Sequence, residues 1–316
     1  MISFLSSPKA FTGKIADIQK NAIQSWKNVH SDAEIIIYGD SAGTHEACME
    51  LGVIHIPDVQ CSPSGVPYFN AIVEHANLHA RHNIQVYINC DILLHNSIIN
   101  AIKCINFPRY LVVGQRIDLG KNVEMSMLSE HWQYDLRILA KENKAVLHAP
   151  SGMDYFIFVR GMWQGLAPLV IGRGGYDSAL VAFCFRSGIP LIDATYAIPA
   201  VHQFHDYGHI AGAQNSVFRG KDATNNYVIH NVKHSTPTSA DAEWQIICGR
   251  LNRSLCRGDW LRRSELYIRF NNDLKFIGLI SRVIWRFLVG LNLYHIKNLT
   301  IYDVLESYKT SVFKLC

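Results

Sequence analysis

Eight cysteines occur in the 316 residues, yet none forms a Cys-x-x-Cys pair, and several fall in stretches that read as buried. That excludes a disulfide-stapled scaffold and indicates free thiols in a reducing compartment, so the cytoplasm is the expected location. No Gly-x-Gly-x-x-Gly follows the first apolar run, no Gly-x-x-x-x-Gly-Lys-Ser/Thr occurs, and no Gly-x-Ser-x-Gly is present. Dinucleotide-binding, P-loop and nucleophile-elbow chemistries therefore lack their cradles. Charge of one sign is scarce too: 30 basic residues against 26 acidic leave a formal +4, too small an excess to argue nucleic-acid binding. The first residues lack the basic n-region and the length of a signal peptide and read as a first strand. One apolar run, from Phe276 to Tyr294, is long enough to suggest a membrane span, but it contains Arg282 and Arg286. Central charges cost about 2.5 to 3.5 kcal/mol each on insertion scales, so a spanning helix is not expected. No repeat of 20 to 50 residues is evident.

What is present is 49% apolar and 18% charged, a globular composition with an ample core. Strand and helix patterns alternate. Met1–Ser6 and Glu34–Tyr38 read as strands around an amphipathic helix that carries Ile15, Ile18, Ala22 and Ile23. A short helix stopping at Gly52, a strand Val53–Ile56, and a helix from Tyr68 to Arg81 follow. The next strand, Val86–Ile88, ends in Asn89-Cys90-Asp91. Beyond it come a helix from Ser97 to Ile105, a strand from Tyr110 to Arg116 continuing into Asp118, and a helix within Leu128 to Glu142. A strand Tyr155–Val159, the turn Gly172-Arg173-Gly174-Gly175-Tyr176-Asp177, a helix Ser178–Arg186 and a strand Leu191–Asp193 complete the series. This βα order predicts an α/β fold, with a mostly parallel, mixed central sheet, helices on both faces, and a ligand site beyond the carboxyl ends of the strands. Composition shifts near Gly212. The expected division is a main domain over 1–235 and a helical C-terminal extension over 236–316, with a basic stripe of Lys275, Arg282, Arg286 and Lys297.

Three features carry chemistry. Asn89-x-Asp91 at a strand end could hold a divalent cation, and it is also common turn chemistry. Asp177 at a helix start is either a cap or a carboxylate placed to take a proton from a hydroxyl. The segment His202 to His209 packs three histidines and one aspartate into eight residues, more than a turn requires. Its His-x-x-His spacing is not that of a helical zinc site.

Taken together, the N-terminal βα sheet, the acidic motif after the fourth strand, the Gly-rich turn with Asp177 and the later histidines resemble the GT-A nucleotide-sugar glycosyltransferases. The segments Asp17–Trp26, Tyr87–Leu94, Ser151–Phe156 and His202–His209 are similar to a poorly characterised branch of that fold, over roughly residues 1–212. The resemblance implies a donor nucleotide sugar, UDP- or GDP-linked, held by a manganese or magnesium ion. It implies a hexosyl or related transferase working by inverting displacement, with a glycan, a lipid-linked molecule or a protein as acceptor. Under it Asp91 matches the last acid of the metal motif and Asn89 stands in the place of the first. His202 or His205 is the later metal ligand, and the sequence leaves both open. Asp177 matches the base, with Tyr176 where many inverting members carry Glu. Asp40 matches a position facing the nucleotide base or ribose, and Arg116, Asp118 and Asp154 are expected near phosphates or acceptor. A non-catalytic nucleotide- or glycan-binding module of the same fold is the alternative. A sugar-phosphate nucleotidyltransferase ranks low, because Ser6-Ser7-Pro8-Lys9-Ala10 holds one basic residue and no glycine. The C-terminal helices are expected to pack on the main domain or another subunit, or else to make peripheral contact with anionic lipid.

Overall fold

The computed structural model describes residues 1–205, 217–232, 236–254, 262, 265, 266, 270, 280, 283, 284, 287 and 299–312. The basic stripe of Lys275, Arg282, Arg286 and Lys297 lies outside the described residues, as does the end of the histidine segment after His205.

The strands are β1 (Ile2–Ser6), β2 (Glu34–Tyr38), β3 (Ile54–Ile56), β4 (Ile84–Ile88), β5 (Ile92–Leu94), β6 (Leu111–Val113), β7 (Ile117–Leu119), β8 (Ala145–Leu147), β9 (Tyr155–Val159), β10 (Leu191–Asp193), β11 (Ala200–His202), β12 (Trp244–Ile247) and β13 (Arg250–Arg253). The helices are α1 (Gly13–Lys27), α2 (Thr44–Leu51), α3 (Phe69–His79), α4 (Ser97–Lys103), α5 (Trp132–Lys141), α6 (Tyr176–Ser187), α7 (Lys221–Ile229) and α8 (Ile301–Val312). The larger sheet runs β13-β12-β10-β6-β9-β4-β1-β2-β3 and a smaller one runs β5-β11-β7-β8. In the larger sheet β3, β2, β1 and β4 are parallel, as are β6, β10 and β12. β9 lies antiparallel between β4 and β6, and β13 is antiparallel to β12. The fold is α/β with a mostly parallel, mixed sheet.

The central strands read as unbroken apolar runs because helices cover both faces of the sheet. Their alternation divides the core. Leu5, Tyr87, Phe156 and Phe158 face one side with α3 and α6 residues such as Phe69, Ile72, Leu180 and Phe183. Phe4, Val86, Ile88 and Ile157 face the other with Ala22, Ile23 and Trp26 of α1. Adjacent residues of one strand thus feed two different cores, so a one-residue slip would exchange both.

The expected single strand through Tyr110 to Asp118 is broken in two. β6 stops at Val113, and Gly114 passes so close to the Tyr155 hydroxyl that a Cβ there would collide with it. Gln115 N–H then donates to Thr195 Oγ1 at 2.9 Å, and β7 leaves for the smaller sheet. Residues 244–253, within the expected helical extension, form two outer strands of the larger sheet. α8 buries Ile301, Val304, Leu305 and Tyr308 with Trp132, Leu136 and β7 residues. Among the described residues no helix is long and apolar enough to cross a membrane.

Candidate functional site

The smaller sheet gathers the polar residues. β11 lies between β5 and β7, and its register sets His202 opposite Ile92 on one side and Asp118 on the other. Asp91 directly precedes β5. Gln203 N–H donates to the Asp91 carbonyl at 3.2 Å, and its side-chain amide donates to the Ile18 carbonyl at 2.9 Å. These bonds pin the turn that carries His205 beneath Asp91. His205 Nε2 then lies 2.9 Å from Asp91 Oδ2, and His202 Nε2 lies 3.9 Å from the same oxygen. One potential ligand atom from each of Asp91, His202 and His205 lies within 4.8 Å of the others. A fourth group joins them: Lys9 Nζ sits 3.0 Å from His205 Nε2 and 3.5 Å from Asp91 Oδ2.

Burial alone would raise the Asp91 pKa, but the His205 hydrogen bond and the charges of His202 and Lys9 outweigh it and hold the carboxyl far below the usual range. Its second oxygen, Oδ1, is buried and has no hydrogen-bond partner among the described residues. An orphaned carboxylate oxygen of this kind costs free energy unless something cationic or a donor meets it.

A chain of ion pairs leads away from the cluster. Asp118 accepts from His148 Nδ1 at 2.6 Å and from Arg116 Nε at 2.7 Å, and its Oδ1 lies 3.3 Å from His202 Nδ1. Burial pushes the Asp118 carboxyl up, while the His148 and His202 bonds and Arg116 bring it down well past its ordinary value. With Nδ1 facing Asp118, the His202 ring presents Nε2 to Asp91, the orientation that a metal-ligating imidazole needs. Arg116 Nη1 donates to Asp154 Oδ2 at 2.7 Å. Its burial opposes the positive charge, and Asp154 and Asp118 more than restore it. Asn89 N–H donates to the Asp154 carbonyl at 3.0 Å, extending the β4–β9 ladder, and the Asn89 side-chain amide donates to Asp154 Oδ1. Asn89, expected as a metal ligand, thus commits its amide nitrogen to this chain.

Asp177 occupies the first turn of α6, whose N-cap is Gly175 in the left-handed region with φ 81, and the cap makes no side-chain hydrogen bond. Asp177 is therefore a first-turn residue and not the N-cap. Burial and the neighbouring Asp154 push its carboxyl pKa well up, with Arg116 opposing. Tyr176 is buried at 2% exposure and packs against Phe69, Tyr87 and Phe156. The residue standing where a second acid is expected is therefore a core side chain. The two glycines before it are dictated by packing: a Cβ on Gly174 or Gly175 would come within 2.8 Å of Tyr227. Asp40 is exposed after β2. Among the described residues no hydrogen bond or ion pair ties it to the cluster, although the adjacent Ser41 and Ala42 bond to Pro8 and Phe11 of the loop that bears Lys9.

The structure thus brings together Asp91, His202 and His205, links Asn89, Arg116, Asp118 and Asp154 behind them, and sets Asp177 within electrostatic reach of Asp154 and Arg116. It adds Lys9 and His148, which sequence reasoning did not single out. The cluster fits a divalent cation. Metal–oxygen or metal–nitrogen distances of about 2.0 to 2.1 Å put adjacent octahedral ligands about 2.9 Å apart. The 2.9 Å between His205 Nε2 and Asp91 Oδ2 is a hydrogen bond whose proton an ion held by both atoms would replace, and His202 Nε2, at 3.9 Å from Oδ2, would move in by about 1 Å. A carboxylate and two imidazoles suit zinc or manganese better than magnesium, which favours all-oxygen coordination.

No family model matches the chain, and no curated protein matches it. Among solved structures, a mannosyltransferase from Pyrobaculum calidifontis, in complex with GDP-Man and Mn2+, aligns with a TM-score of 0.44 at 12% identity, over 99% of this chain and 86% of that one. Glucosyl-3-phosphoglycerate synthase from Mycobacterium tuberculosis, in complex with Mg2+ and UDP, aligns with a TM-score of 0.41 at 13% identity, over 73% of this chain and 79% of that one. Likenesses this slight carry no inference about the chemistry of this chain, which rests on its own residues.

Proposed function

We propose that this protein is a glycosyltransferase of GT-A type that moves a sugar from a nucleoside-diphosphate donor, UDP- or GDP-linked, to an acceptor hydroxyl by inverting displacement. The observation that supports it most is the convergence of Asp91, His202 and His205 at the carboxyl end of the parallel strands, with Lys9 among them. Asp91, His202 and His205 would hold a manganese or magnesium ion, which when bound supplies positive charge against the leaving diphosphate. Asp177 takes the proton of the attacking hydroxyl. Its raised pKa points the right way for that role, since a carboxylate with greater proton affinity is the better base near neutral pH. Arg116 holds Asp118 and Asp154 in place from between them, and Asp118 fixes the His202 ring. Asp40, exposed on the rim, is placed in this reading against the nucleotide base or ribose.

The acceptor is a glycan, a lipid-linked molecule or a protein, and the cytoplasm is the proposed location. Ile280, Val283, Ile284 and Phe287 are helical residues at 46 to 65% exposure, spaced as one face of a helix. They support peripheral contact with a membrane surface. One observation favours a second reading, a nucleotide- or glycan-binding module without turnover: the clustered set of Asp91, His202 and His205 contains a single carboxylate. Incubation with UDP- and GDP-sugars and manganese distinguishes the two. The transferase releases nucleoside diphosphate and loses this with Asp177→Asn, whereas the binding module takes up nucleotide without turnover and is indifferent to that change.

A further inference from the structure

Lys9 is held at the cluster by its backbone. Gln19, buried midway along α1, accepts from the Lys9 N–H at 2.7 Å and donates to the Lys9 carbonyl at 2.9 Å. That pair of hydrogen bonds fixes the peptide while the side chain, 35% exposed, reaches in to Asp91 and His205. Nζ, His205 Nε2 and Asp91 Oδ2 form a triangle with edges of 3.0, 2.9 and 3.5 Å. The ammonium has only donors to offer, and it sits within reach of both Nε2 and Oδ2. Those are two of the atoms that a divalent cation would need.

We infer that Lys9 is a resident cation, and that its ammonium and a divalent ion are mutually exclusive occupants of the Asp91–His202–His205 cluster. Metal entry requires Lys9 to swing toward solvent, for which its partial exposure leaves room. Two cations at this separation repel, so the lysine subtracts from metal affinity whatever it contributes to the resting protein. The inference rests on the cation reading of the cluster made above and requires no nucleotide donor.

The test is calorimetric titration of the full-length protein with manganese alone, at constant ionic strength, for the wild type, Lys9→Met and Lys9→Arg. Lys9→Met keeps length and flexibility and removes the charge, and it is expected to bind manganese about tenfold more tightly or better, a ratio of ten corresponding to about 1.4 kcal/mol. Lys9→Arg retains the competing charge and is expected to gain nothing. Equal affinity in wild type and Lys9→Met, or weaker binding in the variant, overturns the inference and leaves the cation reading in place. Absence of manganese binding in all three proteins overturns both. A wild type that binds manganese but takes up no nucleotide sugar would remove the proposed transferase activity and leave the Lys9 inference standing.

Discussion

Gly175→Ala is expected to destabilise the protein, and the size of the effect can be worked from two independent costs. Gly175 has φ 81, a conformation in which a Cβ meets the following carbonyl, at roughly 1 to 2 kcal/mol for an L residue. The new Cβ would also stand 2.8 Å from Tyr227 Cδ1 and 3.0 Å from Cε1, closer than real contacts allow. Overpacking of that kind typically costs about 1 to 3 kcal/mol. The sum is roughly 2 to 5 kcal/mol, measurable by equilibrium denaturation if unfolding is reversible. A double-mutant cycle separates the two parts, because in a Tyr227→Ala background only the backbone cost should remain. The reasoning is refuted if Gly175→Ala costs under about 0.5 kcal/mol, or costs as much with Tyr227 removed as with it present. The same substitution shifts the start of α6, so Asp177 should lose its placement as well.

Further outcomes are expected. Asp118→Asn weakens manganese binding about 10- to 100-fold by freeing the His202 ring, the usual loss when the carboxylate behind a ligating histidine is removed; calorimetry showing unchanged affinity would contradict the role of Asp118 in orienting His202. Asp193 has its pKa raised to about 6 by burial, against two bonds from Thr195. An acid whose folded pKa exceeds its unfolded value binds more protons when folded, so its contribution to stability falls as pH rises from about 4 through 6. Asp193→Asn should therefore raise the melting temperature relative to wild type at pH 7.5 and not at pH 4.5; an equal difference at both would contradict the assignment. Asp177→Asn should lower turnover about 10²- to 10⁴-fold with nucleotide-sugar binding retained, the range for loss of a general base; loss of binding instead would make Asp177 a structural residue. Val283→Glu with Phe287→Glu should reduce co-sedimentation with anionic vesicles, and unchanged sedimentation would exclude that face as the contact. Substitution serves better than truncation at residue 240 here, because β12 and β13 belong to the larger sheet.

Asp91 was legible because an unbroken apolar run that ends in Asn-x-Asp marks the end of a buried strand, where α/β sheets present their ligands. His202 and His205 stood out by local density alone. Lys9 and His148 gave no comparable signal: Lys9 meets its partners 82 and 196 residues away, and His148 is one histidine among 15. The split between β6 and β7 was hidden for a similar reason. It depends on Gly114 passing the Tyr155 hydroxyl and on Thr195 receiving Gln115, neither of which appears in local periodicity. Tyr176 looked like a departure from an expected acid, yet its burial among Phe69, Tyr87 and Phe156 is decided by distant elements.

The central claim is that Asp91, His202 and His205 bind one divalent ion. Pulsed electron paramagnetic resonance of manganese added to the full-length protein reads this directly, because ligating imidazole nitrogens couple to the electron spin. Two histidine nitrogens are expected, falling to one in His202→Ala and to one in His205→Ala, with manganese binding lost in Asp91→Ala. Bound manganese without nitrogen coupling, or coupling unchanged by either histidine substitution, would contradict the account.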